Sequence, residues 1–271
     1  MFKLSDKPLL MGILNVTPDS FSDGGKYASL DTAMQQARAM LSEGVDIIDV
    51  GGESTRPNSD SVPALEQIQR VVPAIQAIRQ HSDVLISIDT TDSQVASAAL
   101  AAGANIINDV SAGLNDANIL TVAAKANVPI VLMHSQGTPK TMQDNPYYDD
   151  VVREVLSALQ QRIQAALAAG IQDDKIIIDI GIGFGKRKQD NLDLLAHLEA
   201  FVALGFPVLL GTSRKRFMGA ICDVSEPSEL ITATAVTTAL GVMAGVSLFR
   251  VHDVRENRQA VDIAWAIKQS Q

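Results

Sequence analysis

Short apolar runs recur along this chain, and each closes on polar or charged residues. They end as Ile13-Leu14-Asn15, Ile47 to Glu53, Ile86-Ser87-Ile88-Asp89, Ile106-Ile107-Asn108-Asp109, Ile130 to His134, Ile176 to Asp179, Leu209 to Lys215 and Leu248 to His252. Their apolar parts predict strands over residues 9–14, 46–50, 84–88, 105–108, 129–133, 175–179, 207–211 and 247–251. The runs are continuously apolar instead of alternating, as parallel strands covered on both faces are. Helical periodicity fills the intervals. Residues 30–43 place Ala33, Met34, Ala37 and Met40 on one face before Gly44. Residues 92–102 do the same with Val95, Ala98, Ala99 and Ala102 before Gly103, and residues 149–169 space Val151, Val155, Leu159 and Ile163 four apart before Gly170. Further helices fit 64–80, 116–126, 190–204, 227–244 and 254–268.

A strand followed by a helix, eight times in 271 residues, matches a single (β/α)8 TIM barrel spanning residues 1–271. A doubly wound open sheet fits less well. No linker or low-complexity tract breaks the chain. The polar loops 15–29, 51–63 and 134–148 are long for a compact domain, which marks lids, binding loops or disordered segments. In such a barrel the C-terminal ends of all strands share one face, and the active site sits there. Plain turns need only Gly, Asn, Asp or Pro. These ends also supply His, Arg, Lys and Glu, so they read as chemistry.

Composition narrows the partners. Apolar residues make up 46% of the chain, enough for a core, and no run of about 18 apolar residues predicts a membrane span. The start, MFKLSDKPLL, lacks the plan of a signal peptide, and Cys222 has no cysteine partner in the chain. The expectation is a soluble cytoplasmic protein. A net charge of -9 argues against non-specific nucleic-acid binding. Against that background, Ser213-Arg214-Lys215 and Arg250-Val251-His252 end the last two strands, where barrels often bind phosphate, and point to an anionic ligand. Lys186-Arg187-Lys188 reads instead as a solvated basic loop.

Three carboxylates, Asp89, Asp109 and Asp179, directly follow β-branched runs. At a barrel's strand ends, carboxylates bind metal, act as bases or accept paired hydrogen bonds from a guanidine-like edge. Asp109 is the candidate for a structural role such as a helix cap. His134 and His252 with two Asp do not form a recognisable zinc ligand set, and His81 and His197 read as surface residues. Lys215 beside Arg214 and Arg216 is a conceivable Schiff-base amine, although a hydrogen-bonding cation is the simpler role. Gly181 to Lys186 lacks the spacing of a nucleotide loop and reads as a tight turn presenting Asp179 and Phe184.

The long first loop adds a family. Leu14-Asn15-Val16-Thr17-Pro18-Asp19-Ser20-Phe21-Ser22-Asp23-Gly24-Gly25 resembles the first signature of the dihydropteroate synthases, and Gly51-Gly52-Glu53-Ser54-Thr55-Arg56-Pro57 resembles the second. Ile88-Asp89-Thr90, Asn108-Asp109-Val110, Met133-His134, Asp179 with Gly181 to Lys186, Ser213-Arg214-Lys215 and Arg250-Val251-His252 follow in family order. The resemblance implies a transferase of folate synthesis. It would join 6-hydroxymethyl-7,8-dihydropterin diphosphate to p-aminobenzoate, release diphosphate, use magnesium, form a homodimer and be a sulfonamide target. Asp89, Asn108, Asp179 and Lys215 would hold the pterin, with Met133 and Phe184 as apolar or stacking surface. Asn15, Arg250 and His252 would bind diphosphate, with Asn15 near the magnesium. Phe21, Thr55, Arg56 and Pro57 would close over p-aminobenzoate, and Ser213 with a helix N-terminus would meet its carboxylate. Asp89, Asp179, Lys215, Arg250 and His252 would be catalytic, with diphosphate leaving before the amine attacks.

The chain departs from the family pattern in three places. Ile180-Gly181 replaces the usual Pro-Gly, Ser135 stands where relatives often carry Met, and Arg216 stands where a small residue is common. The first could loosen the turn after Asp179, and the last adjoins the expected p-aminobenzoate exit. Two other classes stay in view. Methyltetrahydrofolate-dependent methyltransferases of the same fold share pterin contacts but not the two lid signatures. A non-catalytic pterin-binding paralogue would be expected to lose Asn15, Thr55, Arg56 or Lys215, all of which are present.

Overall fold

A computed structural model describes residues 6–16, 25–53, 61–137, 141–142 and 144–271. Eight parallel strands close into a barrel in chain order. They are β1 (Leu9–Asn15), β2 (Ile47–Gly51), β3 (Leu85–Asp89), β4 (Ile106–Asp109), β5 (Ile130–Met133), β6 (Ile176–Asp179), β7 (Val208–Leu210) and β8 (Leu248–Val251). The helices described are α1 (Gly25–Ser42), α2 (Ala64–Arg79), α3 (Ser93–Ala102), α4 (Asn118–Ala126), α5 (Val151–Ala168), α6 (Lys188–Ala196), α7 (Leu198–Val202), α8 (Arg216–Cys222), α9 (Ile231–Ala244) and α10 (Val254–Gln269).

The strand sequences serve two cores at once. Alternate strand residues such as Leu10, Ile48, Ile86, Ile107, Ile178 and Phe249 pack outward against the helices. The other set, Met11, Ile47, Ile106, Val131, Ile177, Leu209 and Leu248, fills the barrel interior. Side chains alternate faces along a strand. Counting on by two from the interior set therefore gives the inward residue at each strand end: Asn15, Asp49, Asn108, Met133, Asp179, Gly211 and Arg250. Leu85 packs on the same interior set and leads to Ser87 and Asp89. The barrel is thus oily below and polar above, and register holds the polar ends level, with Gly51 beside Asp89, Asp89 beside Asn108 and Met133 beside Asp179.

The same parity turns Asp109 outward. Its carboxylate accepts the Ser111 N–H (2.8 Å), the Ser111 hydroxyl (2.7 Å) and the Gly113 N–H (2.5 Å), which closes the turn after β4. The predicted helices are present with shifted limits. The stretch 190–204 divides at His197, whose φ of -120° leaves the helical region and whose Nδ1 hydrogen-bonds the Asp193 carbonyl. The stretch 227–244 opens as a 3-10 turn over Pro227–Glu229 before α9 begins.

Candidate active site

Arg250 enters the barrel mouth from β8 between two carboxylates. Its Nε donates to Asp49 Oδ2 (2.7 Å) and its Nη2 to Asp89 Oδ2 (2.7 Å). Asn108 Nδ2 donates to the same Asp49 oxygen (3.1 Å). Asp49 is fully buried, so this network is the floor of the site. Burial pushes the Asp89 carboxyl up to about 7 despite the opposing pull of Arg250, with Asp49 adding repulsion. Burial alone would weaken the Arg250 charge, but Asp49 and Asp89 together hold its pKa above the usual arginine value. Among the described residues, Asp49 Oδ1, Ser87 Oγ and Asp89 Oδ1 are buried without a hydrogen-bond partner. A buried acceptor left unpaired is costly, and all three lie on β2 and β3.

Asp179 ends β6 beside this floor. Its Oδ1 accepts the Gly181 N–H (2.7 Å), so the Ile180-Gly181 turn closes tightly without a proline. Burial raises its pKa; the Gly181 hydrogen bond, Lys215, Lys186 and Arg250 pull the other way. Lys215 lies with Nζ 4.1 Å from the centre of the Phe184 ring, a cation–π contact. Burial and the nearby Arg250 draw the Lys215 pKa down to about 8, with Asp179 and Asp89 resisting. Gly183 lets the loop approach: a Cβ there would stand 3.0 Å from Lys215 Cδ.

The end of β7 is fastened to that of β8. The His252 N–H donates to Ser213 Oγ (3.1 Å), and the same hydroxyl lies 2.9 Å from His252 Nδ1. Either group can be the donor of that second contact, according to the His252 tautomer. Arg214, in the left-handed region at φ 58°, forks onto Asp253 at 3.0 and 2.5 Å. These groups rim a cavity of about 770 Å³ whose walls include Asn15, Asn108, Met133, Asp179, Phe184 and Lys215.

A family model described as pterin binding enzyme matches residues 11–252. The dihydropteroate synthase of Synechocystis sp. is 43% identical over 267 residues, covering 98% of this chain and 92% of that protein. The chain belongs to the dihydropteroate synthase family. Among solved structures, the Yersinia pestis dihydropteroate synthase with a sulfonamide drug matches at a TM-score of 0.93 and 42% identity, over 99% of this chain and 97% of that one. The Xanthomonas albilineans dihydropteroate synthase in complex with 7,8-dihydropteroate matches at 0.88 and 40% identity, over 97% and 94%.

Within this dihydropteroate synthase fold, Asp89 is paired with Arg250 and is not among the cavity's walls, while the other strand-end residues predicted from the sequence and described here, Asn15, Asn108, Met133, Asp179, Ser213, Lys215, Arg250 and His252, line the one cavity with Phe184. Ser213 does so with its hydroxyl committed to His252, and α8 starts only at Arg216, so Ser213 is not itself the helix cap. Phe21, Thr55, Arg56 and Pro57 lie outside the described residues. Two features differ from the sequence reading. Asp49 is central but sits inside an apolar run; a lone charge at Ile47-Ile48-Asp49-Val50 was the available signal. Lys186 is buried, not solvated, while Arg187 and Lys188 are exposed.

Magnesium can be tested against this geometry. Among the described residues no cluster of three or more His, Cys, Asp or Glu could hold a metal. Asn15 offers one side-chain oxygen at the cavity wall. Magnesium commonly takes few protein ligands and fills its shell with substrate phosphates and water, so the donor set fits an ion that arrives with a diphosphate.

Proposed function

We infer that this cavity binds the pterin between its polar floor and Phe184, and that diphosphate departs before the amine attacks. Membership in the family makes the protein a dihydropteroate synthase, a transferase of folate biosynthesis. The observation that carries the binding reading is that Asn108, Asp179, Phe184 and Lys215 line one cavity with Arg250, whose guanidinium is paired with the buried Asp89. A pterin presents adjacent N–H donors, and carboxylates accept such pairs. Donors arriving at Asp89 and Asp179 would favour the charged forms that burial opposes. Lys215 then serves the ring acceptors, Asn108 the edge beside Asp89, and Phe184 with Met133 the apolar faces.

In this reading Asp89 and Asp179 offset the positive charge that develops on the pterin methylene as its bond to diphosphate breaks. Arg250 and His252 meet the leaving oxygens. Asn15 would hold magnesium together with the diphosphate, where the ion would neutralise leaving-group charge. The loops bearing Phe21, Thr55, Arg56 and Pro57 would cover p-aminobenzoate and exclude water, and Ser213 would act on its carboxylate through its backbone and His252. Sulfonamides would occupy the same place. No helix among the described residues is long and apolar enough to cross a membrane; a cytoplasmic location remains our proposal. Exposed Val236 and Leu240 on α9 and Ile263 and Ile267 on α10 support a homodimer through these two helices. Incubation with pterin diphosphate, p-aminobenzoate and magnesium should yield 7,8-dihydropteroate by mass spectrometry, and sulfonamide should block it; absence of that mass would overturn the reading.

A further inference from the structure

Lys186 has no part in the mechanism above, yet it is one of the most confined charges in the molecule. It is only 4% exposed. Its Nζ donates to the Gly181 carbonyl (2.8 Å) and the Phe184 carbonyl (3.1 Å), and on a third residue, His134, it lies 3.0 Å from Nδ1 and 3.4 Å from the carbonyl oxygen. An ammonium has three protons and no acceptor, so these three partners use it completely. His134 must then offer a lone pair. Burial and the nearby Lys186 hold its pKa down to about 3, so the imidazole is neutral.

The geometry points to Lys186 as a positioning residue: an internal cation that ties the β6–α6 loop to the end of β5 and thereby fixes the Phe184 ring over the substrate cavity. Two of its three partners lie in the loop that carries Phe184, and the third, His134, comes from the neighbouring strand end. The loop needs such a tie because glycines at 181, 183 and 185, all with positive φ, leave it few side chains of its own to pack. They also let it press close. A Cβ at Gly181 would land on the His134 carbonyl oxygen, and one at Gly185 on the Gln136 carbonyl oxygen. Tyr148, whose hydroxyl donates to the Gly185 carbonyl (2.8 Å), and Asn191, which accepts the Gly183 N–H (2.7 Å), secure the outer side. Lys186 secures the inner side, against the end of β5.

This inference rests on the reading that Phe184 stacks on the pterin, and the test separates the two. Pterin binding is measured by calorimetry, and steady-state constants are measured for both substrates. Lys186→Met should raise the pterin dissociation constant and the KM for pterin diphosphate about tenfold, the scale of one charged hydrogen-bond set. The KM for p-aminobenzoate should stay within about twofold. In a double-mutant cycle with Phe184→Leu, the second change should add little, because the tie acts through that ring. Unchanged pterin affinity in Lys186→Met, or additive losses in the cycle, would overturn the positioning role. If Lys186→Met does not fold, His134→Leu carries the same test, with a smaller loss expected and an unchanged affinity again fatal. A wild type that binds no pterin would sink the functional reading instead.

Discussion

Asp179 and Asp49 are both buried carboxylates at the barrel mouth, but they answer to different partners. Asp179 has one oxygen on its own turn and otherwise faces the cavity. Asp179→Asn should weaken pterin binding by about 1–3 kcal/mol, the cost of one charged hydrogen bond; calorimetry giving an unchanged affinity would remove it from the pterin site. Asp49 faces Arg250 and Asn108. Asp49→Ala leaves Arg250 with Asp89 alone and should lower unfolding free energy by about 3–5 kcal/mol in urea titration, as loss of one partner from a buried ion pair does. A change below about 1 kcal/mol would mean that Asp89 and water neutralise Arg250 unaided. The terminal residues of the runs were legible because strand side chains alternate and a barrel gathers strand ends. Asp49 escaped notice because it lies inside a run. The burial of Lys186 could not be read either, since one of its acceptors, His134, is 52 residues away.

Elements were legible to within a few residues. Continuous apolar runs betray strands covered on both faces, and helices ended where glycine was expected: Gly103 takes φ 116° and caps α3, whose start Asp92 closes by accepting from Gln94 and Val95. The break at His197 was hidden because the apolar period continues across it. Close contact between layers supplies an element-scale test. Gly241 on α9 lies against β8, where a Cβ would stand 2.6 Å from Phe249 Cε1 and 3.2 Å from Leu210 Cδ2. Gly241→Ala should therefore cost about 1–3 kcal/mol through overpacking, seen as a lower Tm by calorimetry. An unchanged Tm would show that the helix can step back freely.

At the scale of the whole molecule, the charges buried at the mouth tie stability to pH. His134 is held near 3 in the fold against 6.5 when unfolded, so its contribution is present above pH 6.5 and is lost as pH falls toward 3. Lys186, near 7 in the fold against 10.5 unfolded, makes stability rise between those values. Asp89 opposes His134, because its raised pKa favours the fold below 3.8 and that gain disappears as pH rises through about 7. His134→Gln should flatten the acid limb between pH 6.5 and 3, where one group can contribute up to about 1.4 kcal/mol per pH unit; an identical limb in urea titrations would show that His134 does not titrate there. The central claim is that these strand ends make one site that parts diphosphate from a pterin and joins it to an amine. Continuous measurement of diphosphate release tests it most directly. Release should require pterin diphosphate and magnesium and should depend on p-aminobenzoate, with dihydropteroate formed in equal amount. A protein that binds the pterin but releases no diphosphate when the amine and magnesium are supplied would contradict the account.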